Sequence, residues 1–265
     1  MNKEIAVMAN TKIIFFTLYG WLLVDKIADN HYYIFYMQNR FFSTEFFIIL
    51  LFFVLPPIVF AQALPAERTM GYSWLTFALA GLAAVLLWQM LHSDVWNRTC
   101  LDGNKLWRRL MDQAECLIAF GALVVTAIAF EVLNRFVLNG STETKLFLPE
   151  SAAGWVNVIL GTICATFYEE VLYRMYLPKA AVTVLSRRKA AKDTVPSKKI
   201  IRACEVFAIV LFALAHRYAG WISVANAFIG GAILRRCYRR TNALWTNIVA
   251  HAAYNFLMMG VIVQK

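Results

Sequence analysis

Long apolar runs broken by short polar segments organise this chain. Runs at 46–64, 72–91, 115–138, 152–178, 204–219 and 243–263 approach the roughly 20 residues needed to cross about 30 Å of hydrocarbon. A shorter run at 221–234 contains Gly230 and Gly231, and one at 5–24 carries Lys12 and ends at Asp25 and Lys26. That first run lacks a small-residue cleavage site and is followed by the aromatic stretch His31–Phe42, so it reads as a span rather than a leader. The pattern predicts an all-α, polytopic transmembrane helical bundle of about eight helices, or seven, forming a single integral membrane domain over 1–265. Pro56-Pro57 is expected to kink or break the helix that contains it.

Composition supports the pattern. Of the 265 residues, 60% are hydrophobic and only 16% are charged, where soluble domains lie nearer half and a quarter. The net charge of +10 is local. Arg187, Arg188, Lys189, Lys192, Lys198, Lys199 and Arg202 fall between two runs, and Arg235, Arg236, Arg239 and Arg240 between the next pair. Short basic loops beside membrane helices mark the cytoplasmic side, so loops 187–202 and 235–240 are expected inside, beside anionic lipid head groups. No nucleic-acid partner is needed to explain the charge. The five cysteines form no C-x-x-C pair and read as small buried hydrophobes.

Against this background three polar sets stand out, because ionisable groups within a span are costly and usually face the bundle interior. In "FYEEVLYR" (Phe167–Arg174), Glu170 and Arg174 are four apart and share a helix face, glutamate first. Glu169 points about 100° away, so one glutamate is neutralised locally and the other is left to look elsewhere. "FALAH" puts Phe212 and His216 in the next run. "HAAYN" puts His251 and Asn255 one turn apart on the last, with Ala250, Ala252 and Ala253 leaving room for close approach. Singly, each set has a plain structural explanation: a boundary charge cluster, a hydrogen-bonded core histidine, an interhelical amide pair. Together they make a polar cavity within lipid, suited to activating water and holding an oxyanion.

E-E-x-x-x-R, F-x-x-x-H and H-x-x-x-N, in this order and each in its own apolar run, resemble the CPBP family. These are the CAAX-protease and bacteriocin-processing (Abi) intramembrane endopeptidases. The similarity covers about 160–260 and includes "NAFIGGAIL" and "TNALW". It implies a catalytic core at 152–263, with 1–140 as variable N-terminal helices. Glu169 would activate water together with His216, and His251 and Asn255 would polarise the scissile carbonyl and hold the oxyanion. Glu170 and Arg174 would brace the site, and Phe212 would pack beneath it. No cofactor is required in this scheme; zinc on Glu169, His216 and His251 is the second choice, without the usual H-E-x-x-H signature. The expected partner is a membrane-associated protein or peptide substrate, in a prokaryotic plasma (inner) membrane.

Three other functions compete with this one. A non-catalytic scaffold or immunity factor would keep the fold and bind only. A small-molecule carrier would use the buried groups as a relay. A thiol protease would need Cys164, which lies on a different helix face from Glu169. The run boundaries also raise a geometric conflict: Glu169 falls near the inner end of its helix and His216 near the outer end of its own. The first helix must extend past Pro178, or the chain after His216 must dip back.

Overall fold

The computed structural model describes residues 42–60, 67–92, 105–136, 145–187 and 196–263. The expected 5–24 span lies outside them, as does the 188–195 part of the basic 187–202 segment. Seven helices are present among the described residues: α1 (42–59), α2 (Trp74–His92), α3 (Lys105–Phe136), α4 (152–187), α5 (Lys198–Ala215), α6 (Trp221–Thr241) and α7 (Leu244–Val263). Two three-residue strands, β1 (Glu67–Thr69) and β2 (Lys145–Phe147), form a parallel pair beside the otherwise all-α bundle.

Two helical stretches, Leu110–Phe136 and Ala152–Ser186, are long and apolar enough to cross a membrane; Thr44–Val59 and Trp74–Met90 are apolar but shorter. Helix α3 turns Leu117, Val125, Ile128 and Val132 outward, and α4 turns out Val156, Ile159 and Leu160. Broad exposed apolar bands of this kind need lipid or another apolar partner. Asn247, His251 and Asn255 interrupt the apolar sequence of α7.

Local chemistry sets the helix ends. Ser151 caps α4 by accepting from the Gly154 N–H at 3.1 Å. Asn242 adopts the left-handed conformation (φ 49°) that ends α6, and a two-residue link then turns the chain antiparallel into α7. In α1, Pro56 and Pro57 occupy the first turn of the last segment, Leu55–Val59, after a π-helical stretch at Leu50–Val54. The widened turn absorbs the missing donors, and the helical segment is capped at Phe60.

Helix α4 is central. Its first half packs on α2 and α7, and its second half on α1 and α5; α6 bridges α3 and α5, and α3 also packs on α7. The helix is α-helical to Glu169, π-helical over Glu170–Tyr176, and α-helical again over Leu177–Arg187. It therefore runs past Pro178, which resolves the geometric conflict in favour of the extended helix. Pro178 has no N–H for the Arg174 carbonyl one turn earlier. That carbonyl instead accepts from Arg235 Nη1 on α6 at 2.5 Å.

This contact corrects the reading of 235–240 as a loop. The segment forms the last turns of α6, and its arginines are compensated from other helices. Arg235 is buried and pairs with Glu205 at 2.6 Å, and Arg239 lies 3.8 Å from the same carboxylate. Arg240 pairs with Glu115 on α3. A cluster of like charge in sequence becomes a set of ion pairs in space, so Arg235 is not available to lipid head groups.

Candidate active site

Glu169 ends the first α-helical part of α4, and the π-helical stretch carries the rest of the first motif, with all seven of its residues buried. Glu170 is fully enclosed (0% exposed) and both of its oxygens are used. Oε1 accepts from His251 Nδ1 at 2.9 Å. Oε2 accepts from Asn247 Nδ2 at 2.9 Å and lies 3.3 Å from Arg174 Nε. Asn247 also donates to the Leu234 carbonyl at 2.8 Å, tying α4, α6 and α7 together at one amide. Glu169 is different. Its side chain keeps 25% exposure and makes one long contact, 3.7 Å to His251 Nε2.

His216 is the first residue past α5. Its Nδ1 lies 2.8 Å from the Phe212 carbonyl, which can only accept, so Nδ1 carries the hydrogen and a neutral ring keeps its lone pair on Nε2. The same logic puts a hydrogen on His251 Nδ1, against the Glu170 carboxylate. Phe212 packs against the Arg174 guanidinium and both imidazoles. Its ring stands 4.2 Å from the Arg174 guanidinium carbon, 4.7 Å from the His216 ring and 6.1 Å from the His251 ring. Gly231 permits this packing, since a Cβ there would meet Phe212 Cδ1 at 3.2 Å. Asn255 donates to Thr166 Oγ1 at 3.2 Å, one turn before Glu170 on α4, which leaves one amide hydrogen uncommitted.

A cavity of about 400 Å³ opens onto this group, and Glu169, Phe212, His216, His251 and Asn255 all line it. Glu170 and Arg174 lie behind the wall. The opposite side is formed by Met70, Gly71 and Tyr72, just after β1. Asn157 pins that segment, accepting from the Tyr72 N–H at 2.7 Å and donating to the Tyr72 carbonyl at 3.1 Å. Gly161 makes the approach possible: a Cβ there would fall 2.3 Å from the Tyr72 ring.

The structure thus brings the residues of all three motifs to one cavity. Sequence reasoning missed Asn247, Thr166, Asn157 and Tyr72. The first was accessible, because Asn247, His251 and Asn255 repeat every four residues on one face of α7. Asn157 and Tyr72 lie 85 residues apart and carry no shared pattern. Among the described residues, no group of three or more His, Cys, Asp or Glu side chains is arranged to hold a metal ion. Glu169, His216 and His251 share the cavity without converging as a zinc set would.

Residues 150–257 match the family model of the type II CAAX prenyl endopeptidases, Rce1-like. The match covers less than half of the chain. The matched segment begins beside the N-cap of α4, ends two residues beyond Asn255, and contains every motif residue described above. At the coarse level the match supports a protease, and two of the helices are long and apolar enough to cross a membrane. No curated protein and no solved structure matches the chain.

Proposed function

We propose that the chain is an intramembrane endopeptidase that hydrolyses a peptide bond of a membrane-associated protein or peptide with water activated by Glu169 and His216. One observation carries this reading. Of two adjacent glutamates, Glu170 is consumed by His251, Asn247 and Arg174, while Glu169 faces the cavity shared with His216, His251 and Asn255.

The chemistry follows from these positions. The Glu169 carboxylate takes a proton from water as the water oxygen attacks the carbonyl carbon. The Nε2 lone pair of His216 orients the same water. The developing oxyanion accepts from the free Asn255 amide hydrogen and from His251, whose charge when doubly protonated is balanced by Glu170. When the C–N bond breaks, Glu169 returns its proton to the departing nitrogen, leaving a carboxyl group and an amine. Glu170 and Arg174 act as positioning residues. No step uses a metal. We also place the basic 187–202 segment on the cytoplasmic face, where its charge suits anionic lipid.

The test is cleavage of a membrane-tethered peptide by purified protein in a bilayer. Glu169→Gln and His216→Ala are expected to abolish cleavage, and a chelator to leave it unchanged. Intact cleavage by both variants refutes the assignment. Loss on chelation that zinc restores would move the mechanism to the metal alternative.

A further inference from the structure

Tyr254 lies between His251 and Asn255 on α7 and lines the same cavity, yet the mechanism above gives it no part. Its phenol oxygen accepts from Asn226 Nδ2 on α6 at 3.2 Å, and Asn226 also lines the cavity. A phenol has one hydrogen to give. With the oxygen engaged by Asn226, that hydrogen has no acceptor among the described residues. An uncommitted O–H beside two catalytic side chains, held in place by an amide on another helix, is a donor in want of a substrate group.

The substrate supplies such a group. A peptide drawn into a site enclosed by helices brings main-chain carbonyls that bulk water no longer reaches, and each needs a donor. Much of the cavity wall has none to offer, being built from Met70, Leu123, Val158 and Met258. His251 and Asn255 are committed to the reacting carbonyl. We infer that Tyr254 binds substrate: its O–H donates to a main-chain carbonyl in a peptide unit flanking the scissile bond, and Asn226 holds the phenol for that contact. This inference rests on the endopeptidase reading above and adds to it a backbone-reading position. Recognition through a main-chain carbonyl is blind to side chains, so it fits an enzyme that positions an extended peptide whatever its flanking sequence.

The experiment uses the full chain in phosphatidylcholine vesicles and a quenched-fluorescence apolar transmembrane peptide that it cleaves. Two analogues replace, in turn, the peptide unit on either side of the scissile bond by an (E)-alkene, which removes the carbonyl and preserves shape. Tyr254→Phe keeps the ring and loses the hydrogen, and is expected to raise KM about three- to ten-fold with kcat nearly unchanged. One alkene analogue should show a similar penalty on the wild type and none on Tyr254→Phe. Asn226→Asp offers the phenol only acceptors, so it captures the hydrogen and should behave as Tyr254→Phe.

Wild-type KM in Tyr254→Phe overturns the inference, as do alkene penalties that are the same in both proteins. A fall in kcat alone also overturns it, because the contact would then be to the oxyanion. Glu169→Gln runs alongside. If it cleaves normally, the endopeptidase reading has failed; if it is inactive while Tyr254→Phe is unaffected, only the role of Tyr254 has failed.

Discussion

Two neighbouring glutamates, changed in the same way, should fail in opposite ways. Glu170→Gln removes the charge that faces Arg174, whose side chain is fully buried and whose Nη1 and Nη2 make no hydrogen bond among the described residues. Breaking a buried ion pair from one side costs about 3–5 kcal/mol. While His251 keeps its hydrogen on Nδ1, the new amide also points its NH2 at that N–H or at the Asn247 amide hydrogens, donor against donor. In a membrane protein such a mismatch adds about 1 kcal/mol, the low end of the range in water. The two costs share the same groups, so we take about 4 kcal/mol in total, a shift of about 10³ in the folding equilibrium. Glu169→Gln changes a partly exposed side chain with one contact at 3.7 Å and should cost less than about 1 kcal/mol. Equilibrium unfolding in mixed dodecylmaltoside and SDS micelles, followed by helicity, measures both, and cleavage is read on the same preparations. Glu170→Gln should be destabilised, and Glu169→Gln near wild type in stability but inactive. Equal destabilisation of the two variants, or a stable Glu170→Gln, would refute the division of labour.

Two more predictions test the frame around the site. Gly161→Ala drives a Cβ into the Tyr72 ring at 2.3 Å, and the Asn157 clamp prevents Tyr72 from yielding. A loss of about 1–3 kcal/mol and slower cleavage are expected, with stability recovered by adding Tyr72→Ala; an unchanged Gly161→Ala would mean that the segment over the cavity is loose. Glu205→Leu alone removes the carboxylate that faces the buried Arg235 and should cost about 3–5 kcal/mol, whereas Glu205→Leu with Arg235→Met should recover most of it, short of the donor lost to the Arg174 carbonyl. Unfolding of the two proteins in the same micelles decides this, and a double variant worse than the single would contradict it.

The parts of the site that were legible in sequence are those governed by local geometry or by the cost of charge in lipid. Glu170 with Arg174 followed from four-residue spacing, and the separate outlook of Glu169 from one residue's rotation. His216, His251 and Asn255 stood out because polar groups in apolar runs need a reason. The missed features depend on partners far along the chain. Arg235–Arg240 looked like a loop because Glu205 and Glu115, which neutralise its charge, lie 30 and 125 residues from their partners. Pro178 looked like a helix end because only the structure shows a guanidinium replacing its missing N–H. The β1–β2 pair is too short to register as a pattern, and its partners come from segments nearly eighty residues apart.

The hydrogen bond from Arg235 to the Arg174 carbonyl also bears on how the protein is made. When α4 leaves the ribosome, its buried glutamate and arginine have only each other. Arg235, which completes the backbone at Pro178, arrives 61 residues later, and His251, which completes Glu170, 81 residues later. At about 5–20 residues per second the centre of the bundle waits roughly 4–16 s for its last partners. Throughout that interval α4 carries an unfinished polar stretch. A chain truncated before Asn247 never leaves that state, so surveillance of nascent membrane proteins would meet the same stretch of α4 that the finished protein uses as its reaction centre.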